Sequence, residues 1–119
     1  MQLTDGPTDL VTLMTTCPDD KTGKEIAVAL VSDRLAACVQ RIAGLNSTYI
    51  WRGTLQEEQE VLLLIKTLKG SVPAVVERVR SLHPYEVPEL LVIPVSSRNE
   101  GYTEWVRSNV EQAAKSQPE

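Results

Sequence analysis

The sequence predicts an α+β fold, one antiparallel sheet flanked by helices. Three observations carry that expectation. Short β-branched runs alternate with stretches of helical periodicity in the order strand, helix, strand, strand, helix, strand, helix. The two middle strands meet across a turn signal, Arg52-Gly53-Thr54, with no helix between them. The chain has 119 residues, which suits one domain over 1–119 and leaves no room for two ordinary ones.

The elements follow in order. Residues 1–8 are polar and turn-rich and are expected to be flexible, as are 115–119. Leu10 to Thr16 is apolar and β-branched, a strand broken by Cys17-Pro18. Pro18 suits a helix's first turn, and Asp19 and Asp20 complement its positive end. Ile26, Ala27, Leu30, Val31 and Leu35 recur at helical spacing, which predicts a helix over 18–34. Ala36 to Trp51 reads as one long extended segment, with Ala43-Gly44 as a bulge. Val61 to Ile65 is apolar without alternation, the pattern of a strand covered on both faces. Ser71 and Pro73 open a helix over 72–82, and His83-Pro84 ends it. Leu90 to Ile93 is a fourth strand stopped by Pro94, and Asn99 caps a last helix. This order is the ferredoxin-like βαββαβ arrangement with a long strand 2–strand 3 hairpin and an extra C-terminal helix.

Composition narrows the function classes. Twelve Lys and Arg against 16 Asp and Glu give a net charge of −4 with no basic tail, which argues against a nucleic-acid or membrane-surface partner. No run approaches the length of a membrane span. The N-terminus has neither a basic nor an apolar leader region, so the expected place is cytoplasmic. Cys17 and Cys38 match no zinc or CxxC spacing, and there is no Phe and a single His.

Topology then places the reactive groups. The first strand ends, and the second helix ends, at the same edge of the sheet. That brings Cys17 and His83 together, with Glu86 and Glu89 in the loop leading to strand 4. Cys38 falls at the other end of the first helix, too far for a disulfide with Cys17. A thiol at a helix start is favoured as thiolate, and thiolate with imidazole and carboxylate suits copper, zinc or a similar cation. The plainer alternatives are that His83 is a loop residue bonded to backbone, that Cys17 is a small buried hydrophobe and that the glutamates are solvated. A Cys17 nucleophile with a His83 base lacks an orienting third group, so the expectation is no enzyme.

Five motifs carry a resemblance: Thr15-Thr16-Cys17-Pro18-Asp19, Leu35 to Val39, Tyr49-Ile50-Trp51-Arg52-Gly53, Val61 to Thr67, and Leu82 to Glu89. In this order they resemble the divalent-cation tolerance proteins of the CutA family over roughly residues 9–110. The resemblance implies a compact homotrimer, similar in build to PII signalling proteins, in which the hairpin serves assembly and Tyr49 and Trp51 lie at the trimer interface. It implies a non-enzymatic, copper-binding or other divalent-cation protein contributing to metal tolerance, with no organic cofactor. Its metal ligands would be Cys17, His83 and Glu89, and Glu86 is the weakest candidate. The alternative is a PII-like trimeric sensor or scaffold, in which Arg52, Lys66 and Arg98 supply positive charge for a small molecule or anion.

Overall fold

The computed structural model describes residues 9–111, so the expected flexible segments 1–8 and 115–119 lie outside the described residues. Its elements are β1 (Leu10–Cys17), α1 (Asp20–Ser32), β2 (Cys38–Trp51), β3 (Thr54–Leu68), α2 (Val72–Leu82), β4 (Leu91–Pro94) and α3 (Glu100–Asn109). A 3₁₀ turn, Lys69–Ser71, joins β3 to α2. The sheet order is β2-β3-β1-β4, with every neighbouring pair antiparallel. This is the ferredoxin-like topology, with α3 added.

One face of the sheet carries the main core. Val11, Leu13 and Cys17 of β1 and Leu63 and Ile65 of β3 pack against Ile26 and Leu30 of α1 and Val75 and Val79 of α2. Gly23 lets α1 approach closely: a Cβ there would meet Leu63 Cδ2 at 3.3 Å. Side chains alternate across a strand, so Leu10 and Leu68 face the other way. There they pack with Ala37, Val106 and Val110, so α3 covers only that end of the reverse face.

Several expected boundaries move for identifiable reasons. Helix α1 starts at Asp20 rather than Pro18, because Asp19 is the cap and its carboxylate accepts from Thr22 N–H at 2.8 Å. Ser71 stands at the α2 cap position, but its side chain makes no capping bond, since the 3₁₀ turn holds its backbone helical. Pro94 is the last residue of β4 rather than its stop; β4 is an edge strand, where proline is tolerated. Strand β3 begins at Thr54, seven residues before Val61, because pairing with β2 overrides the weak strand preference of Gln and Glu. Val61 to Ile65 is not covered on both faces within this chain: Val61, Leu63 and Ile65 are buried, whereas Leu62 and Leu64 are half-buried on the reverse face beyond the reach of α3.

The hairpin is shaped by two glycines. Arg52 (φ 54°) and Gly53 (φ 81°) form a two-residue turn with both residues left-handed, the geometry that matches strand twist. The expected bulge is present between Ile42 and Leu45, with Gly44 at φ 83°. Ile42 pairs with Leu62 and Leu45 with Glu60, so β2 holds one residue more than β3 across this interval. The extra residue resets the alternation. Ser47, Tyr49 and Trp51 consequently share the reverse face with Glu60, Glu58 and Thr16. β1 ends opposite Val61, so Thr54–Glu60 and its partner strand project beyond it by about 23 Å at ~3.3 Å per residue.

Candidate functional site

The projecting hairpin and the 83–90 segment enclose a cleft of about 760 Å³. Its walls include Thr16 at the end of β1, Ser47, Tyr49 and Trp51 of β2, and Tyr85. Among the described residues, four glutamates line it, Glu58, Glu60, Glu86 and Glu89, and no Lys or Arg does.

A chain of hydrogen bonds builds its back wall. The α2 helix closes with His83 N–H donating to the Val79 carbonyl at 2.8 Å, and Pro84 prevents another turn. The His83 ring is thereby turned onto β1, where Nε2 donates to the Thr16 carbonyl at 2.7 Å. The Tyr85 backbone N–H donates to Nδ1 at 3.1 Å, which fixes the neutral tautomer with its proton on Nε2. The Tyr85 ring lies 4.7 Å from the His83 ring, and its hydroxyl donates to Glu60 Oε2 at 2.7 Å. The Ser47 hydroxyl donates to Glu60 Oε1 at 2.7 Å. Glu60, 7% exposed, therefore ties β3 to β2 and to the 83–90 segment, and His83 ties that segment to β1. Burial, the bond to Glu60 and the nearby negative charge all raise the Tyr85 phenol, which stays a donor.

The thiol behaves differently from its sequence expectation. Cys17 is fully buried in the main core, three residues before α1 rather than at its first turn. Burial first, then the charges of Asp19 and Glu60, push its pKa up to about 11. The expectation of a helix-stabilised thiolate is thus corrected: desolvation wins and Cys17 is a neutral thiol. Cys38 is half-buried and also free.

The predicted ligands occupy one end of the molecule without forming a ready metal cage. His83 lies against Thr16, next to Cys17 in sequence, while Glu86 and Glu89 face the cleft. Both nitrogens of His83 already hold protein partners. Among the described residues, no three His, Cys, Asp or Glu side chains are grouped so as to hold a metal ion. As placed, the trio Cys17, His83 and Glu89 does not fit a bound metal. Tyr49 and Trp51, expected at an interface, are exposed at 38% and 46%. Sequence reasoning missed Glu60, Ser47 and Tyr85 as the framework of this site. The available signal was Glu60, an acidic residue directly abutting the Val61 run.

Comparison with known proteins accords with this geometry. The sequence model described as "CutA1 divalent ion tolerance protein" matches residues 11–109. Human Protein CutA is 48% identical over 101 residues, covering 85% of this chain and 56% of that protein. The chain therefore spans just over half the length of that relative. The divalent-cation tolerance protein CutA of Thermus thermophilus is 45% identical over 97 residues, 82% of this chain and 94% of that one. The crystal structure of CutA from Xylella fastidiosa superposes with a TM-score of 0.85 at 38% identity, covering 87% of this chain and all of that one. With nearly every described residue matched, the chain belongs to the CutA1 divalent ion tolerance protein family.

Proposed function

We propose that this protein binds divalent cations, copper among them, without catalysing a reaction, and so contributes to metal tolerance. The observation that carries this reading is the cleft itself: among the described residues, four carboxylates and no cationic side chain line one cavity. Glu89 and Glu86 supply hard oxygen donors on its open side. His83 lies behind the Thr16 wall, and a small shift of the 83–89 segment that releases Nδ1 from Tyr85 N–H would add a softer imidazole donor for copper, while Cys17, buried on the opposite face of the sheet, stays outside the donor set. Calorimetric titration with Cu(II) tests the reading. It predicts saturable binding, weakened at least about tenfold in Glu86→Gln/Glu89→Gln. Identical isotherms for the two proteins would remove this cleft from the account.

The working unit we propose is a homotrimer. Support comes from apolar surface that a lone chain leaves bare. Ile42, Leu91 and Ile93 on the reverse sheet face are 47%, 53% and 39% exposed, beside half-buried Leu62 and Leu64. A two-stranded ribbon is marginal in water, and this one projects beyond β1 bearing Tyr49 and Trp51 on one face and Ile50 on the other. Sedimentation equilibrium is expected to return three times the 13.2 kDa chain mass; the mass of one chain would contradict the proposal. A cytoplasmic location fits the two free thiols, and no helix among the described residues is long and apolar enough to cross a membrane.

A further inference from the structure

We propose that a second cavity, at the opposite end of the sheet from the acidic cleft, binds a small organic phosphate. This cavity, about 570 Å³, lies where the start of β1 meets the segment linking β4 to α3. It is lined at Leu10 to Thr12, whereas the acidic cleft is reached at Thr16, so some four residues of β1, about 13 Å, separate the two. The two cavities carry opposite charge. Lys66 and Arg98 line the second one, and among the described residues no Asp or Glu lines it. In a chain of net charge −4, such a pairing of cations from β3 and a loop creates a local positive field in a concave wall.

The donors suit a phosphoryl group. The Lys66 ammonium donates to a neutral partner, Gln40 Oε1 at 2.9 Å, and makes no ion pair among the described residues. Arg98 offers a planar guanidinium suited to bidentate contact with phosphate oxygens. Ser96 adds a hydroxyl to the same wall. The first amides of α3 are occupied by the Asn99 side chain, so recognition rests on these side chains rather than on the helix end. The rest of the wall selects for an organic body. Leu10, Val11 and Val95 and the ring of Tyr102 line it, and the volume falls in the range of small-molecule pockets. Arg52, the third cation expected to serve an anion, is not part of this cavity; it lies over the Trp51 ring at 5.5 Å, at the hairpin tip. This inference stands apart from cation binding at the cleft and survives its failure.

The test is calorimetric titration of the intact chain with phenyl phosphate and with inorganic phosphate. Phenyl phosphate is expected to bind saturably and at least about tenfold tighter than inorganic phosphate. Arg98→Gln and Lys66→Gln are each expected to weaken it at least about tenfold, and Arg52→Gln to leave it unchanged. Lack of saturable binding overturns the proposal. So does equal affinity for the two ligands, which would mean charge attraction alone, or an equal loss in Arg52→Gln. Should Lys66→Gln fail to fold, Arg98→Gln, on an exposed loop, decides the matter.

Discussion

The Tyr85 hydroxyl donates to the Glu60 carboxylate at 2.7 Å, across 25 residues of sequence, and this bond pins the 83–90 segment to the long hairpin. It forms where β3 has left β1 behind, so the hairpin's own ladder and this loop contact hold the cleft in shape. Glu60 has hydroxyl donors at both oxygens.

Removing one of these donors tests that role. Tyr85→Phe leaves a buried carboxylate oxygen without its partner and is expected to cost about 1–3 kcal/mol in chemical denaturation. Glu60→Gln keeps an acceptor and is expected to cost less. Equal stability of Tyr85→Phe and the parent would show that the bond does not hold the loop.

Cys17 is expected to be inert. Its pKa is pushed up to about 11 from an ordinary 9.0, so at pH 8 it is a buried neutral thiol. In a Cys38→Ser variant, a chromogenic disulfide reagent should find no reactive thiol until the protein is unfolded. The same shift sets an alkaline dependence. Below pH 9 folded and unfolded states both hold the proton, and the contribution to stability is fully present. Between pH 9 and 11 the unfolded thiol ionises first, and stability falls relative to Cys17→Ala. A flat difference between the two proteins over that window would contradict the assignment.

Two buried threonines of neighbouring strands should respond with opposite signs. Thr15 is fully buried and its hydroxyl has no partner among the described residues, so Thr15→Val is expected to be neutral or to stabilise by about 1 kcal/mol. Thr67 is also fully buried, but its hydroxyl donates to the Leu35 carbonyl at 2.6 Å. Thr67→Val should destabilise by about 1 kcal/mol, read from the denaturation midpoint at constant slope. Equal effects would mean that satisfaction of the hydroxyl does not control either site.

Copper uptake that reaches the thiol must release its proton. A coordinating thiol is deprotonated outright, and Cys17 is protonated at neutral pH. Calorimetry in two buffers of different ionisation enthalpy is therefore expected to show equal proton release by the parent chain and by Cys17→Ala, since the buried thiol stays out of the donor set. About one proton more from the parent chain would put Cys17 among the donors and contradict its inertness.

Much of the fold was legible because its signals are local. The Asn99 cap, the Ala43-Gly44 bulge, the Val72–Leu82 helix and the His83-Pro84 stop each follow from a few neighbouring residues, and each stands where the sequence put it. The polar start of β3 was not legible, since Thr54 to Glu60 extends only by pairing with β2. The gathering of Cys17, His83, Glu86 and Glu89 at one end followed from topology alone. What topology could not supply was the state of each group. Burial of Cys17 depends on how α1 and α2 close over the sheet, and the occupation of both His83 nitrogens depends on where Thr16 and Tyr85 come to rest. Glu60 was hidden for the same reason: its partners, Ser47 and Tyr85, are 13 and 25 residues away.

The central claim is that the acidic cleft is where this protein meets its cation. Anomalous scattering at the copper edge, from crystals soaked in Cu(II), tests it most directly. The account predicts a peak inside the cleft, within bonding distance of the Glu89 carboxylate and on the His83 side of the cavity. A strong peak elsewhere with an empty cleft would contradict it.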